Sequence, residues 1–162
     1  MINTLTKLNK NRTNTTIYKK LPSAITIIMQ NCNSISILVV EDMEPIRELI
    51  REILEEDGHD VEVACDGKEG LELFKKKHFD IVFTDFKMPE MSGYEMAEKI
   101  KMIKKDTVIV LVTAWAMDYT DAELRNKGID FIVKKPFRDE ELQRIVRKMG
   151  FKEINEPMSI PA

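Results

Sequence analysis

Hydrophobic residues follow two different spacings along this chain, and the two alternate from Ser34 onward. Short continuous runs of β-branched and aliphatic residues, such as ISILVVED at 35–42, predict strands that are buried on both faces. Strands of this kind belong to parallel sheets, in which helices cover both faces. The sequence predicts five such strands, at 35–42, 61–64, 80–84, 107–113 and 131–133.

Between these runs, apolar residues recur every three or four positions, which is the spacing of one helix face. Glycine commonly follows the last residue of a helix, and Gly58, Gly128 and Gly150 mark three of the predicted ends. The helices are predicted from Ile46 to Asp57, around Leu71 and Phe74, at 94–104, at 118–127 and at 139–149.

Five strands that alternate with five helices predict an α/β fold, a doubly wound parallel sheet with helices on both faces. The length of 162 residues favours one domain. We therefore expect a single folded domain at 34–151, followed by a short C-terminal tail at 152–162.

Residues 1–33 differ from the rest of the chain in charge and composition. They contain five basic residues, no acidic residue and no helical period. Of the chain's 25 basic and 28 acidic residues, 20 and 28 therefore fall after residue 33, a net charge of −8. We expect 1–33 to be a basic, disordered tail. An organellar transit peptide and a translation start at Met29 are the alternatives.

Composition excludes several classes of protein. No apolar run reaches the ~18 residues that a membrane-spanning helix needs, so we expect no membrane insertion. The acidic character of residues 34–162 argues against nucleic-acid binding by the folded domain. Cys32 and Cys65 form neither a metal-ligand spacing nor a disulfide framework, which favours a reduced, cytoplasmic compartment.

Polar side chains stand at the ends of four predicted strands. Ligands of open parallel sheets bind outside the carboxyl ends of the strands, where the strand order reverses. Side chains at these ends are therefore expected to converge on one crevice. The residues concerned are Glu41 and Asp42 at the end of the first strand, Asp85 at the end of the third, Thr113 at the end of the fourth and Lys135 at the end of the fifth.

This group of side chains has the composition of a phosphoryl-transfer site. Carboxylates that lie close together repel, and Mg²⁺ with its oxygen ligands relieves that repulsion. Lys135 offers a point charge for a phosphoryl oxygen, and Thr113 offers a hydroxyl donor. A carboxylate can itself be the nucleophile and form an aspartyl phosphate.

Each residue also has an ordinary structural role as the alternative. An Asp at a strand end is often a turn residue or a helix cap, Thr113 is a good strand former, and Lys135 is otherwise a solvated surface lysine. Their joint occurrence at successive strand ends favours the functional interpretation. His59 and His78 fall in turns away from this group, and we expect both to be solvated.

Four motifs together resemble the receiver domain of two-component response regulators. They are ILVVED at 37–42, TDFKMPEMSG at 84–93, VTAW at 112–115 and KPF at 135–137. The resemblance covers roughly residues 34–149. It implies a flavodoxin-like fold with strand order 2-1-3-4-5, as in the stand-alone chemotaxis receiver.

The resemblance also implies a role for each candidate residue. Asp85 is the expected phosphoacceptor, Thr113 the switch hydroxyl and Lys135 the group that binds the phosphoryl oxygens. The expected magnesium site consists of the acidic pair Glu41 and Asp42, together with Asp85 and the backbone carbonyl of Lys87. Asp42, Asp85 and that carbonyl would be the direct ligands.

By the same resemblance, we expect a single-domain signalling protein rather than an enzyme. A histidine kinase or a histidine phosphotransfer protein would donate the phosphoryl group, and a downstream protein would receive the signal. A phosphorylation-dependent homodimer is a further option. The rival interpretations are an aspartyl-phosphate phosphohydrolase and a degenerate receiver that acts only as an interaction module.

One position departs from the family pattern. The aromatic residue that usually takes part in the switch corresponds to Ile132, and the nearest aromatic, Phe131, stands one position earlier. Neighbouring side chains of a strand point to opposite faces. We therefore expect that Phe131 does not simply replace the missing aromatic.

Overall fold

A computed structural model of the chain describes residues 34–114 and 120–150. Strands and helices alternate through them as the sequence predicts. The strands are β1 (Ser36–Val40), β2 (Asp60–Ala64), β3 (Ile81–Asp85), β4 (Val108–Thr113) and β5 (Phe131–Lys134). The helices are α1 (Glu44–Glu56), α2 (Gly67–Lys76), α3 (Gly93–Ile103), α4 (Asp121–Asn126) and α5 (Asp139–Gly150).

Some of the expectations fall outside the described residues. These are the two tails at 1–33 and 152–162, the predicted start of α4 at Asp118, and Trp115 of the VTAW motif.

The strands form one parallel sheet in the order β2-β1-β3-β4-β5, which confirms the predicted topology. The order reverses between β1 and β3, which are neighbours in the sheet. In such a sheet, the crevice outside the carboxyl ends of the strands is the usual place for a ligand.

Helices cover both faces of the sheet, and strand side chains alternate between two cores. On one face, Val39, Phe83 and Val110 pack with residues of α1 and α5. On the other face, Val40 and Leu111 pack with residues of α2, α3 and α4. The continuous apolar runs of the sequence exist because both faces of each central strand are buried.

The end of β1 differs from the prediction. The strand stops at Val40 rather than at Asp42, although the Glu41 amide still donates to the carbonyl of Ala64 at 3.1 Å. Helix α1 then begins at Glu44, two residues before the predicted start. Pro45 causes no interruption there, because the first turn of a helix tolerates a residue without a backbone N–H. A three-residue connection therefore carries the acidic pair.

The prediction that His59 is solvated is wrong. Both of its ring nitrogens are shielded from solvent, and neither has a hydrogen-bond partner among the described residues. Burial lowers the pKa of His59, so its imidazole is neutral at neutral pH. His78 is exposed, as predicted.

Among the residues that the structure describes, we find no helix with the length and apolar character that crossing a membrane requires.

Candidate functional site

The strand register brings the four predicted polar strand ends, with five candidate residues, to the same side of the sheet, at the carboxyl ends of the strands. Val40 lies beside Thr84, so the acidic pair after β1 comes next to Asp85 at the end of β3. Asp85 in turn lies beside Val112 of β4, and Thr113 lies beside Lys134 of β5. The polar strand ends are therefore adjacent because the sheet is parallel and continuous.

Lys135 is the centre of this group. Its Nζ atom lies 2.6 Å from Oε2 of Glu41 and 2.8 Å from Oδ1 of Asp85. Its backbone N–H donates to the carbonyl of Thr113 at 2.8 Å, which fixes the residue against the end of β4. One ammonium group therefore joins the ends of β1, β3 and β5.

Glu41 is deeply buried, with 1% of its surface exposed. Burial raises its pKa above the ordinary value of 4.5, and the hydrogen bond from Lys135 offsets only part of that effect. Its Oε1 atom accepts a long hydrogen bond of 3.4 Å from the Met43 amide. The carboxylate is therefore held at the base of the site by Lys135.

The same surroundings also shift the pKa of Lys135. Burial alone lowers its pKa, but the hydrogen bonds to Asp85 and Glu41 outweigh burial, and the pKa lies above its ordinary value of 10.5. Lys135 is thus a cation at neutral pH. With Glu41 and Asp85 ionised, the three side chains carry one net negative charge.

Asp85 is fixed from two directions and stays partly open to solvent, with 13% of its side chain exposed. Lys135 binds Oδ1, and the backbone N–H of Lys87 donates to Oδ2 at 2.9 Å. Each carboxylate oxygen has two lone pairs. An oxygen of Asp85 can therefore keep these contacts and still meet a phosphorus atom.

The loop after β3 requires glycine at position 93. The Gly93 amide donates to the carbonyl of Phe86 at 3.2 Å, and a Cβ atom at this position would overlap the backbone oxygen of Asp85 and the hydroxyl of Thr84. A capping box between Ser92 and Glu95 starts α3 at the same point. The loop that presents Asp85 is therefore fastened at both ends.

The other predicted residues take different positions. Thr113 is buried at the end of β4, with 1% of its surface exposed. Asp42 is exposed. Phe131 packs with the core on the α1 and α5 side, whereas Ile132 is 38% exposed. Phe131 and Ile132 thus have different surroundings, as strand alternation predicts.

Sequence reasoning missed Arg47, which lies on α1. Its Nη1 atom donates to the carbonyl of Glu41 at 2.7 Å and reaches the carbonyl of Asp42 at 3.4 Å. The helical spacing of α1 could have indicated that this half-buried arginine lies beside the preceding loop. The contact to a backbone oxygen leaves no sequence signal of its own.

The chemistry of the donor set fits Mg²⁺ with few protein ligands. No group of three Asp, Glu, His or Cys side chains in residues 34–114 and 120–150 forms a cage that could hold a metal ion. Mg²⁺ needs no such cage, because it is usually held by one or two carboxylates and keeps several waters. Asp42 and Asp85 could provide the two carboxylates and Lys87 a carbonyl oxygen, while the Glu41 carboxylate binds Lys135.

Comparison with protein families gives one match across the described domain. Residues 37–147 match the family model described as "Response regulator receiver domain". Among curated proteins, the transcriptional regulatory protein DltR of Streptococcus agalactiae is 32% identical over 111 residues, which are 68% of this chain and 50% of DltR. The chain thus spans about half the length of such curated relatives.

Two solved structures are similar over nearly their whole length. Chemotaxis protein CheY4 of Vibrio cholerae is 30% identical, with a TM-score of 0.67 and coverage of 72% of this chain and 98% of CheY4. Response regulator protein TrrA of Thermotoga maritima, solved in complex with Mg(2+)-BeF, is 39% identical, with a TM-score of 0.63. That match covers 70% of this chain and 96% of TrrA.

Proposed function

Since this chain belongs to the response regulator receiver domain family, we propose that Asp85 accepts a phosphoryl group from a histidine kinase or a histidine phosphotransfer protein. The observation that carries the proposal is the position of Lys135, whose Nζ atom binds both Glu41 and Asp85. A cation beside the nucleophile neutralises charge on the incoming phosphoryl oxygens, and such neutralisation, together with positioning, contributes most of the catalysis in phosphoryl transfer.

In the proposed step, an oxygen of Asp85 attacks phosphorus while the bond from phosphorus to the donor nitrogen breaks. The leaving imidazole keeps the electron pair of that bond and takes up a proton. Lys135 keeps its ammonium proton and shifts from the Asp85 carboxylate to an oxygen of the phosphoryl group. The Thr113 hydroxyl donates to another of these oxygens and draws the end of β4 toward the site.

The acidic members of the site would hold Mg²⁺. Asp42, Asp85 and the backbone carbonyl of Lys87 are the proposed ligands, with Glu41 beside them as the partner of Lys135. When bound, the metal supplies Lewis-acid stabilisation of the phosphoryl oxygens. Support comes from the choice of oxygen donors and from TrrA, whose structure contains Mg(2+)-BeF.

Phosphorylation would change the surface around α4 and β5. A chain of contacts leads in this direction from the residue after the phosphoacceptor. The Phe86 ring meets the Tyr94 ring edge to face, with centroids 6.5 Å apart, and Lys127 Nζ at the end of α4 lies 4.7 Å from the Tyr94 ring centre. A movement of the Asp85 loop would be transmitted to α4 through these contacts. This route does not need an aromatic residue at position 132.

The proposed output is a protein contact made by a non-enzymatic signalling module in the cytoplasm. Action as a single domain is proposed by likeness to CheY4, of which the match covers 98%. The downstream partner is a protein that distinguishes the phosphorylated from the unphosphorylated surface, and a phosphorylation-dependent homodimer is one form it can take. Pull-down with each form of the chain, followed by sizing of the phosphorylated form alone, tests these options.

Incubation of the full chain with acetyl phosphate and Mg²⁺, followed by intact mass, tests the central step. We expect the wild type and the surface variant Asp106→Asn to gain one phosphoryl group, and Asp85→Asn to gain none. Continuous release of phosphate over many turnovers would instead indicate a phosphohydrolase, and no reaction of the wild type would indicate an interaction module. Either of these two results contradicts the proposal.

A further inference from the structure

The connection between β1 and α1 carries two consecutive carbonyl groups that have left the sheet ladder. Residues 41 and 42 follow the last residue of β1, and α1 begins only at Glu44. Backbone carbonyls of this kind need a donor when they are withdrawn from water. In this loop the donor is a side chain of the helix that follows.

Arg47 supplies that donor from one turn inside α1. Its Nη1 atom lies 2.7 Å from the Glu41 carbonyl and 3.4 Å from the Asp42 carbonyl. The first contact is a short, charge-assisted hydrogen bond, and the second lies near the limit for one. Nη1 therefore sits beside both carbonyls of the acidic pair and holds the peptide that joins Glu41 to Asp42.

Within the described residues, the N-terminus of α1 has no side-chain cap, and its one other side-chain link to this loop is the long 3.4 Å hydrogen bond from the Met43 amide to Glu41. Met43 occupies the N-cap position and makes no side-chain capping bond, and Pro45 in the first turn has no N–H to donate. By contrast, α2 and α3 both begin with a side-chain cap, at Asp66 and Ser92. The loop that carries Asp42 thus depends on Arg47 in place of a cap.

A second charge bears on the same guanidinium. Arg47 lies close enough to Glu69 of α2 to lower the pKa of that carboxyl, after the larger effect of the Cys65 amide, which donates to Glu69 at 2.8 Å. The Cys65 amide directly follows β2, beside the end of β1. Glu69 therefore adds a minor long-range attraction, and the hydrogen bond to the Glu41 carbonyl remains the main contact that holds the guanidinium.

We infer that Arg47 is a positioning residue that sets the place of the Asp42 carboxylate for Mg²⁺ binding. The inference rests on the proposed function, because it assumes that Asp42 is a metal ligand. Arg47 touches neither the phosphoryl group nor the metal in this account; it acts through the Glu41–Asp42 peptide. Residues that orient metal ligands commonly change metal affinity by ~10-fold or more when they are lost.

Isothermal titration of the full chain with Mg²⁺ alone, without a phosphoryl donor, measures that effect. We expect Arg47→Gln to raise the dissociation constant about tenfold. Arg51→Gln is the matched control, because Arg51 lies one turn further along α1 in exposed ion pairs with Glu48 and Glu55. The control is expected to bind Mg²⁺ as the wild type does.

A kinetic measurement separates positioning from general damage. With acetyl phosphate, Arg47→Gln should need more Mg²⁺ for half-maximal phosphorylation but should approach the wild-type rate at saturating Mg²⁺. Arg47→Lys, which keeps a donor of the same charge, should recover part of the affinity. If Arg47→Gln does not fold, the titration of Arg47→Lys against Arg51→Lys decides the question, with weaker binding expected only for Arg47→Lys.

Equal Mg²⁺ affinity in Arg47→Gln and the wild type overturns the inference, even if Arg47→Gln is less stable to urea. That outcome leaves the proposed function intact, because the wild type would still bind Mg²⁺ and accept the phosphoryl group. Failure of the proposed function has a different signature, in which the wild type itself binds no Mg²⁺ or gains no phosphoryl group.

Discussion

Two lysines of this domain bind carboxylates at opposite ends of the strands of the sheet, and their surroundings differ. At the carboxyl ends of the strands, Lys135 binds two carboxylates, those of Glu41 and Asp85. At the amino ends, Lys101 binds one carboxylate, that of Asp130, at 2.7 Å. It also donates to the carbonyls of Thr107, at 2.8 Å, and Lys105, at 3.4 Å.

The difference shows how one type of contact serves two purposes. At Lys101 the charges balance, and Asp130 also accepts from the Ile109 amide at 2.8 Å, so the contact fastens α3 to the start of β4 and β5. At Lys135 two carboxylates share one ammonium group, and one of the carboxylates is buried. With both carboxylates ionised, that site has a surplus negative charge, which a metal cation can neutralise.

The largest expected effect is on the rate of phosphorylation, which should differ between variants of the two lysines. Lys135→Met should slow phosphorylation by acetyl phosphate by about 100-fold, because it removes the cation beside the transferred group. Lys101→Met should keep the wild-type rate but lower the free energy of unfolding by about 1–3 kcal/mol, because Asp130 and two carbonyls lose a charged donor. Initial rates and urea unfolding of both variants measure this difference. A rate loss in both variants would remove the distinction.

Gly93→Ala should disturb the site around Asp85 by displacing the backbone. An added Cβ overlaps the carbonyl of Asp85, so the loop must shift, at a cost of about 2 kcal/mol in unfolding free energy. Phosphorylation should slow at the same time. Ser92→Ala is the neighbouring control, since it removes only the cap of α3, costs about 1 kcal/mol and leaves the Asp85 backbone in place. Wild-type stability in Gly93→Ala would contradict the close approach.

The smallest expected effect concerns pH. The pKa of Glu41 is raised in the folded protein, so the unfolded chain releases this proton first as pH rises above 4.5. Stability contributed by the protonated form is therefore lost between 4.5 and the raised value. Glu41→Gln has no carboxyl group to titrate here and so lacks this loss. As pH rises through this window, the unfolding free energy of the wild type should therefore fall relative to that of Glu41→Gln. Glu56→Gln, on the exposed side of α1, should track the wild type.

Much of the fold could be predicted from the sequence, for a physical reason. Central strands buried on both faces leave continuous apolar runs, such as that of Val108 to Val112, and a run ends where the chain leaves the core. Asp85 could be predicted to lie at the carboxyl ends of the strands because it ends such a run, and Lys135 because it follows β5 in the same parallel sheet.

The directions of long side chains could not be predicted from the sequence in the same way. The reach of Lys135 to two carboxylates, the return of Arg47 to a backbone carbonyl and the shielding of the His59 ring all depend on how neighbouring elements pack. Periodicity places a residue on a face, but it does not determine which atom a long side chain contacts. The early end of β1 at Val40 likewise depends on where α1 can begin.

The most direct test of the central claim locates the phosphoryl group on the chain. Wild-type protein phosphorylated with acetyl phosphate and Mg²⁺ is reduced with borohydride, which converts an aspartyl phosphate to homoserine, and its peptides are then sequenced. We expect homoserine at position 85 and unchanged aspartate at positions 42 and 80. Homoserine at position 42, or a phosphorylated protein with aspartate retained at position 85, would contradict the account.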